Sequence, residues 1–228
     1  MEKGFTEIGA IIVGAGSSQR MGKDKMSLTL AGKPLLAWSV DLCQSYRLLT
    51  KIVLVLNHMN IDLGHRLASE RNWSKVIDIC LGGKRRQDSV REGLKQLHKC
   101  DWIIIHDAAR PFLTSSLLDD GLKSAEATGA SAAAVPVKDT IKSSDNDRIV
   151  TRTLPRDQLW MIQTPQVFRY DIIKKAYDTV NNEVTDDASL VEQSGGKVKL
   201  YPGSYTNIKI TTPEDLIVAE ALVKGLAS

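Results

Sequence analysis

Cysteine is scarce in this sequence, which contains three among 228 residues: Cys43, Cys80 and Cys100. Their number is odd, and their spacing is too wide for a zinc knuckle. We therefore expect small buried thiols that behave as apolar side chains in a protein of a reducing compartment.

Long hydrophobic runs and a strong charge of one sign are also absent. No stretch approaches the ~18–20 apolar residues of a membrane span, and the short apolar segment near the N-terminus runs directly into a glycine loop, unlike a secretory signal. The 30 basic and 27 acidic residues leave a formal net charge of +3, whereas a nucleic-acid partner usually requires a concentrated basic face. We expect a soluble cytoplasmic protein with neither a membrane nor a nucleic-acid partner.

Two common glycine-loop signatures are missing too. After a short apolar strand, residues 14–22 read GAGSSQRMG. A P-loop would need Gly-Lys followed by Ser or Thr, and a dinucleotide fingerprint would need a third glycine where Gln19 stands. The loop is instead followed by cations, at Arg20, Lys23 and Lys25. Exposed N–H groups of small residues cradle phosphate oxygens, so this loop suits a nucleoside triphosphate; an ordinary strand-to-helix turn with a basic helix start is the alternative.

Strand-length apolar segments alternate with helical patterns along the chain. Several of these segments are apolar throughout, as expected of parallel strands buried on both faces of a sheet. The alternation predicts an α/β protein with a Rossmann-like, doubly wound and mostly parallel sheet. The predicted strands are 8–13, 52–56, 76–80, 102–105 and 132–137, and the predicted helices are 34–46, 88–98, 115–128 and a last helix with Pro213 at its first position.

The polar segment 138–159 interrupts this alternation. The turn-like sequence DND at 145–147 lies between two short stretches, 140–142 and 149–151, which predicts a β-hairpin projecting from the sheet. A two-stranded arm is marginal by itself, so we expect a second subunit to hold it in a homodimer; a floppy surface loop is the alternative. No linker is evident, so we expect one domain, residues 1–228, with a dimerisation arm at about 138–159.

Polar residues follow the ends of two predicted strands. Asp107 and Arg110 come after the strand 102–105, and such positions face the ligand crevice in open α/β sheets. They are candidates for contacts to substrate hydroxyls and phosphate; an Asp–Arg pair that stabilises a turn is the alternative. A second glycine turn, at Gly82 and Gly83, suits a site for a flat base and its phosphates.

Two further segments near the C-terminus carry candidate residues. Lys209 lies between isoleucines in a predicted strand at 207–211. Because an unpaired lysine is costly to bury, we expect it to have an anionic partner; an outward-pointing edge residue is the alternative. The segment 185–189 (TDDAS) is predicted to cap a helix, with a polar cluster at the site as the alternative.

Five ordered segments resemble the 2-C-methyl-D-erythritol 4-phosphate cytidylyltransferase family of the isoprenoid-precursor pathway. They are the glycine loop, 106–111 (HDAARP), 163–166 (QTPQ), 185–189 and 207–211, and the resemblance spans residues 8–222. Ribitol-5-phosphate cytidylyltransferases share the loop and the QTPQ segment. Ala109 and the run DDASL at 186–190 look more like the methylerythritol enzymes.

The resemblance implies that CTP and a sugar-alcohol phosphate react to give a CDP-linked product and pyrophosphate. A divalent cation, Mg²⁺, would bridge the triphosphate and would not be held mainly by protein side chains. For catalysis the resemblance implies Arg20, Lys25, Arg156 and Lys209. For nucleotide binding it implies Gly14, Ala15, Gly16, Ser17, Gly82, Gly83, Ser89 and Asp107. For binding the acceptor substrate it implies Asp107, Arg110, Thr140, Arg156, Thr164, Thr185 and Lys209.

The chain departs from the family pattern in three places. The loop begins Val-Gly-Ala-Gly where members usually have Pro-Ala-Ala-Gly, and Lys23 is an alternative to Lys25 as the loop lysine. Lys84 stands where an acid is common, although backbone contacts from the neighbouring glycines would survive. Thr140 and Arg156 lie on the predicted arm, so they would reach the active site of the neighbouring chain.

Overall fold

The computed structural model describes residues 7–16 and 26–226. Its strands are β1 (Ile8–Gly14), β2 (Thr29–Leu30), β3 (Lys33–Pro34), β4 (Leu49–Leu56), β5 (Val76–Leu81), β6 (Trp102–Asp107), β7 (Ala130–Pro136), β8 (Lys142–Ser144), β9 (Val150–Thr153), β10 (Trp160–Arg169) and β11 (Lys199–Pro202). Its α-helices are α1 (Leu35–Ser45), α2 (Ile61–Glu70), α3 (Arg86–Gln96), α4 (Ser115–Ala125), α5 (Tyr170–Thr179), α6 (Asp187–Gln193) and α7 (Pro213–Leu226).

Seven strands form the central sheet, in the order β11-β7-β10-β6-β1-β4-β5. β1 pairs in parallel with both β4 and β6, and β11 pairs in parallel with β7. Among these seven described strands, only β10 is antiparallel to its neighbours, β6 and β7. The sheet is therefore mostly parallel and the fold is α/β, as predicted, and its parallel strands end at one common edge.

The buried side chains divide into two clusters, one on each face of the sheet. In β1, Ala10 and Ile12 belong to one cluster, whereas Ile11 between them belongs to the other. Helices α1, α2, α4 and α7 supply buried side chains to the first cluster, and α3, α5 and α6 supply them to the second. Because successive side chains of a strand point to opposite faces, an apolar strand covered on both sides confirms the doubly wound prediction.

The predicted hairpin is present as the antiparallel pair β8 and β9. The Asp145 carboxylate accepts hydrogen bonds from the backbone N–H groups of Asp147 and Ile149, at 3.0 and 2.9 Å, which closes the turn. The pair forms a two-stranded sheet separate from the central one.

Some elements differ from the sequence prediction. Residues 207–211 do not form a strand; they are an irregular segment, joined to the turn after β6 by a hydrogen bond from Ile210 N–H to the Ala109 carbonyl (2.8 Å). Helix α3 begins two residues earlier than predicted, and Asp107 is the last residue of β6. Strand β10 was not predicted because its polar QTPQ segment breaks the apolar pattern, and the pairing with β7 is irregular at that point.

The last helix begins at Pro213, as predicted. The Asp215 carboxylate accepts from the N–H groups of Thr211 and Thr212, at 2.8 and 2.9 Å, which satisfies donors at the helix start. Over the ranges that the structure describes, no helix combines the length and apolar character needed to cross a membrane.

Candidate active site

Two cavities open at the edge of the sheet where the parallel strands end. The larger, of about 830 Å³, lies between the end of β1, residues 57–59 and the turn from β5 into α3. The smaller, of about 260 Å³, lies between the end of β6, strand β10 and residues 185–189. Arg86, Asp107 and Lys209 line both cavities, so these three residues mark the boundary between them.

The larger cavity has a narrow floor made by two glycine turns. A Cβ atom added at Gly82 would lie 2.3 Å from the Ala15 Cβ and 2.6 Å from the Ser89 Oγ, and one added at Gly14 would lie 2.9 Å from Leu56. The Ser89 hydroxyl donates to the Arg85 carbonyl at 3.2 Å. Gly82 therefore has to be glycine for these segments to meet, and the sequence prediction that the two turns belong to one site is consistent with this packing.

Asp107 is the centre of an ionic cluster at the boundary. Its Oδ1 accepts from Arg86 Nε at 3.0 Å, and its Oδ2 lies 2.7 Å from Lys209 Nζ. Arg86 Nη1 also donates to Asp187 Oδ2 at 2.6 Å. The anionic partner expected for Lys209 is thus Asp107.

The cluster favours the charged forms of Asp107 and Arg86. Burial alone would raise the pKa of Asp107, but the charges of Arg86 and Lys209 hold it well below its usual value. Burial alone would lower the pKa of Arg86, and the carboxylates of Asp187 and Asp107 raise it instead. A fixed carboxylate between two cations is suited to accepting hydrogen bonds from ligand hydroxyls.

Arg86 is the residue that sequence reasoning missed. It is one of three consecutive cations, with Lys84 and Arg85, and composition does not distinguish among them. Arg85 pairs locally with Asp88 at 2.7 Å, whereas Arg86 reaches across to β6 and α6. The signal that could have found it is helical spacing, because Arg86 and Ser89 lie three residues apart on one face of α3 and both line the larger cavity.

The wall of the smaller cavity is organised by a neutral histidine. His106 Nε2 lies 3.0 Å from the Arg110 carbonyl, which can only accept, so Nδ1 accepts in turn from the Thr164 hydroxyl at 3.2 Å. Burial lowers the pKa of His106 to about 4, so the ring carries one N–H at neutral pH. The Thr164 hydroxyl also accepts from Asp107 N–H at 3.0 Å, which leaves it able to accept from a ligand but not to donate.

Arg110 and Asp107 have different partners, contrary to a simple Asp–Arg pair. The turn after β6 is closed by the backbone, with Arg110 N–H donating to the Asp107 carbonyl at 2.9 Å. The Arg110 side chain donates through Nη1 to the Asn207 carbonyl at 2.7 Å, and Asn207 Nδ2 donates to the Thr164 carbonyl at 2.8 Å. These bonds hold the segment that carries Lys209 against β10.

The segment 185–189 caps a helix and also contributes to the wall of the smaller cavity. Asp186 caps α6 by accepting from Ser189 N–H at 3.0 Å, which confirms the prediction of a helix cap. Asp186 and Thr185 also line the smaller cavity. Gln87 positions this region, since it accepts from Val184 N–H at 3.0 Å.

Thr140 and Arg156 are exposed residues of the arm. Arg156 Nη1 donates to the Lys138 carbonyl at 2.9 Å. Within the described ranges, neither residue lines either cavity of its own chain. Ser17, Arg20, Lys23 and Lys25 lie outside the described residues, whereas Gly14, Ala15, Gly16 and Gly83 line the larger cavity.

Comparison with known proteins identifies the family. The model of the 2-C-methyl-D-erythritol 4-phosphate cytidylyltransferase family matches residues 8–225. The protein of that name from Dehalococcoides mccartyi (strain CBDB1) is 51% identical over 219 residues, covering 96% of this chain and 96% of that protein. The one from Clostridium acetobutylicum is 41% identical, covering 94% and 96% respectively. The crystal structure of 4-diphosphocytidyl-2C-methyl-D-erythritol synthase from Anaerococcus prevotii is 32% identical with a TM-score of 0.84, covering 96% of this chain and 98% of that one. This chain belongs to the 2-C-methyl-D-erythritol 4-phosphate cytidylyltransferase family.

Proposed function

We propose that this nucleotidyltransferase transfers CMP from CTP to 2-C-methyl-D-erythritol 4-phosphate, giving 4-diphosphocytidyl-2-C-methyl-D-erythritol and pyrophosphate in non-mevalonate isoprenoid biosynthesis. The observation that carries the proposal is the meeting of two cavities at Asp107, Arg86 and Lys209. The larger one suits a nucleotide, and the smaller one suits the acceptor. The relatives bear the methylerythritol name, which supports this acceptor over ribitol phosphate.

The nucleotide is proposed to lie across the two glycine turns. The base would enter the cleft bounded by Ala15, Gly82 and Ser89, where backbone groups and one hydroxyl read its edge. The backbone of Gly14, Gly16 and Gly83 would follow the ribose and phosphates. Around the larger cavity, the described residues include four cations, Lys84, Arg85, Arg86 and Lys209, and one carboxylate, Asp107. This excess of positive charge supports a polyanionic ligand.

The reaction joins two anions, and the chain contributes position and charge. An oxygen of the acceptor phosphate, already ionised near neutral pH, forms a bond to the α-phosphorus of CTP. The bond to the β-phosphate breaks, and pyrophosphate leaves with that electron pair, so no general base is required. Catalysis then rests on orientation and on neutralising the charge at the five-coordinate phosphorus.

The cations are proposed to divide this work. Arg20 and Lys25 would neutralise the triphosphate from the glycine loop. Lys209 would leave Asp107 and hold the acceptor phosphate together with Arg156. Arg110 and Thr185 stand at the smaller cavity, where they would meet the acceptor's phosphate and hydroxyls. The Thr164 hydroxyl would accept a hydrogen bond from an acceptor hydroxyl, in keeping with its two internal bonds.

Magnesium is the proposed cofactor, held through the triphosphate. Asp107 is the one acid among the described residues that line the larger cavity, and both of its oxygens are engaged. Mg²⁺ at phosphate sites keeps waters and phosphate oxygens as ligands, so the residues present fit a metal carried mainly by the nucleotide. When bound, the ion would share in neutralising the phosphate charge.

We propose further that the chain works as a cytoplasmic homodimer joined through the arm. Large apolar side chains are exposed on the arm, at Ile149 (64%) and Val150 (56%), and at the start of β10, at Trp160, Met161 and Ile162. Only the later part of β10 pairs with β6, from Gln166 onward. A second copy that covers these side chains would also carry Thr140 and Arg156 to the neighbouring site. Cys43, Cys80 and Cys100 are free thiols, which supports a reducing compartment.

The test of the proposal is pyrophosphate release from the pure protein with Mg²⁺, each nucleoside triphosphate and each sugar phosphate. A site with hydrogen-bonding groups for one pyrimidine rejects the other by leaving polar groups unpaired, at about 1–3 kcal/mol per group, or roughly 5- to 150-fold. We expect CTP with methylerythritol phosphate to exceed both UTP and ribitol phosphate by at least this factor. Equal use of CTP and UTP, or preference for ribitol phosphate, would contradict the assignment.

A further inference from the structure

A chain of buried contacts extends from Asp107 away from both cavities. Arg86 joins Asp107 to Asp187, at 3.0 and 2.6 Å. The second carboxylate oxygen of Asp187 accepts from the Tyr177 hydroxyl at 2.6 Å. Asp187 is fully buried and Tyr177 is 4% exposed. Neither is among the described residues that line a cavity.

Stability alone does not explain why these charged groups are buried. Two carboxylates and a guanidinium lose much of their hydration here, and buried ion pairs often contribute little net stability compared with apolar side chains. Burial, together with the Asp187 carboxylate, also raises the pKa of Tyr177, so its hydroxyl remains a donor to Asp187. A buried polar network at this position is therefore better explained by the geometry that it imposes on Asp107.

That geometry is a fixed orientation of the Asp107 carboxylate. Arg86 uses two different nitrogens, Nε and Nη1, for its two acids, and two anchors fix the plane of a rigid guanidinium. Asp187 is itself anchored by Tyr177. The other partner of Asp107, Lys209, has a side chain that is 37% exposed and is proposed to move to the acceptor phosphate. Once it moves, Arg86 is the side chain among the described residues that still holds the Asp107 carboxylate.

We propose that Arg86, Asp187 and Tyr177 form a positioning network that orients Asp107 toward the substrates, with Asp187 and Tyr177 acting without touching them. The proposal rests on the proposed cytidylyl transfer. Tyr177→Phe removes one oxygen atom from the far end of the network. Asp187 then loses the donor that fixes its second oxygen, and the resulting displacement passes through Arg86 to Asp107.

Tyr46→Phe is the matched control. Tyr46 is also buried, at 6% exposure, and its hydroxyl also donates to a carboxylate at 2.6 Å, that of Asp119, yet it lines neither cavity in the described part of the chain. Since a misplacement of 1 Å costs up to about 100-fold in rate, we expect Tyr177→Phe to lower kcat/KM about tenfold. We expect Tyr46→Phe to leave kcat/KM unchanged. Its effect on the melting temperature should be similar to that of Tyr177→Phe.

A double-mutant cycle separates positioning from general damage. If the network acts through Asp107, then Tyr177→Phe costs nothing further in an Asp107→Asn background, where the orientation to be fixed is already lost. High enzyme concentration keeps the slow Asp107→Asn variants measurable by pyrophosphate release. Arg86→Lys keeps the positive charge but cannot bind Asp107 and Asp187 through two fixed nitrogens. We expect it to lower kcat/KM more than Tyr177→Phe does.

The outcomes are distinguishable from failure of the proposed function. An active wild type with an unaffected Tyr177→Phe, or the same tenfold loss with and without Asp107→Asn, would overturn the positioning network alone. Equal losses in Tyr177→Phe and Tyr46→Phe would overturn it as well. A wild type that releases no pyrophosphate from CTP and methylerythritol phosphate would instead overturn the proposed function and the network with it.

Discussion

The ionic cluster around Asp107 and the arm around Arg156 are opposite in construction. Asp107 is 6% exposed, and its carboxylate is held from two sides by cations of the same chain. Arg156 lies on the surface, and its side chain donates to the backbone carbonyl of Lys138 on its own arm. One region is assembled by the fold, and the other is presented to solvent.

The difference indicates which half of the active site one chain completes. The cluster needs no ligand to form, because its charges are balanced in place. The arm carries exposed isoleucine and valine side chains, as expected of a surface that a second subunit covers. A site that combines both would be half preorganised and half dependent on assembly.

The largest expected effect comes from removing either proposed phosphate-holding cation. Lys209→Ala and Arg156→Ala should each lower kcat by about 10²–10³, since one well-placed charge at the transition state is worth roughly 3–4 kcal/mol. Steady-state pyrophosphate release measures this. Arg152→Ala, an exposed arginine on the same arm, is the control and should keep normal turnover. A normal rate in Arg156→Ala would show that the arm has no role in catalysis. The ionic cluster and the arm would then differ only in how they contribute to stability.

Acid should lower the free energy of unfolding through His106, which precedes Asp107 in β6. Burial lowers the pKa of His106 from its usual 6.5 to about 4, so the unfolded chain takes up this proton first. Stability is full above about pH 6.5 and falls as the pH drops toward 4, by about 3 kcal/mol from this group. Chemical denaturation across this range tests it. In His106→Gln the free energy of unfolding should change less between pH 6.5 and 4 than in the wild type. An unchanged slope would show that His106 is not the group responsible.

A smaller effect is expected from the apolar side chains of the arm. Full burial of an isoleucine or valine is worth about 1.5–3 kcal/mol, and about half of that remains to be gained by side chains that are 64% and 56% exposed. Each substitution occurs in both subunits of a dimer, so Ile149→Ser or Val150→Ser should weaken the dimer about 10- to 100-fold. Sedimentation measures the dissociation constant. Ile217→Ser, at a residue of α7 that is 69% exposed, is the control and should leave it unchanged. A dimer that tolerates both arm variants would show that the arm is not the interface.

Much of the fold could be predicted because it depends on local signals. Short local patterns predict the apolar strands, the start of α7 at its proline and the polar arm. Strand β10 could not be predicted, since its QTPQ segment lacks both alternation and apolar continuity, and its place in the sheet depends on pairing with β6 and β7. Similarly, the apolar neighbours of Lys209 predict a strand, yet tertiary hydrogen bonds hold that segment as an irregular loop.

The site was predictable where residues lie at strand ends and not where they depend on the fold. Asp107 and Gly82 follow predicted strands and were candidates from position, whereas Ser89 was a candidate through the family resemblance. Arg86 could not be separated from Lys84 and Arg85, because what distinguishes it is the pair of buried acids that it reaches, 21 and 101 residues away along the chain. Whether the arm completes the neighbouring site remains a prediction from the sequence resemblance.

The most direct measurement of a shared site is subunit complementation between Lys209→Ala and Arg156→Ala. Each variant alone should be nearly inactive. In a mixed dimer, the site of the Arg156→Ala chain keeps its own Lys209 and receives Arg156 from the other chain, so one site in two is intact. After complete exchange, confirmed by native mass spectrometry, an equal mixture should recover about a quarter of wild-type activity per chain. A mixture that exchanges subunits and stays inactive would show that Arg156 serves its own chain and would contradict the account.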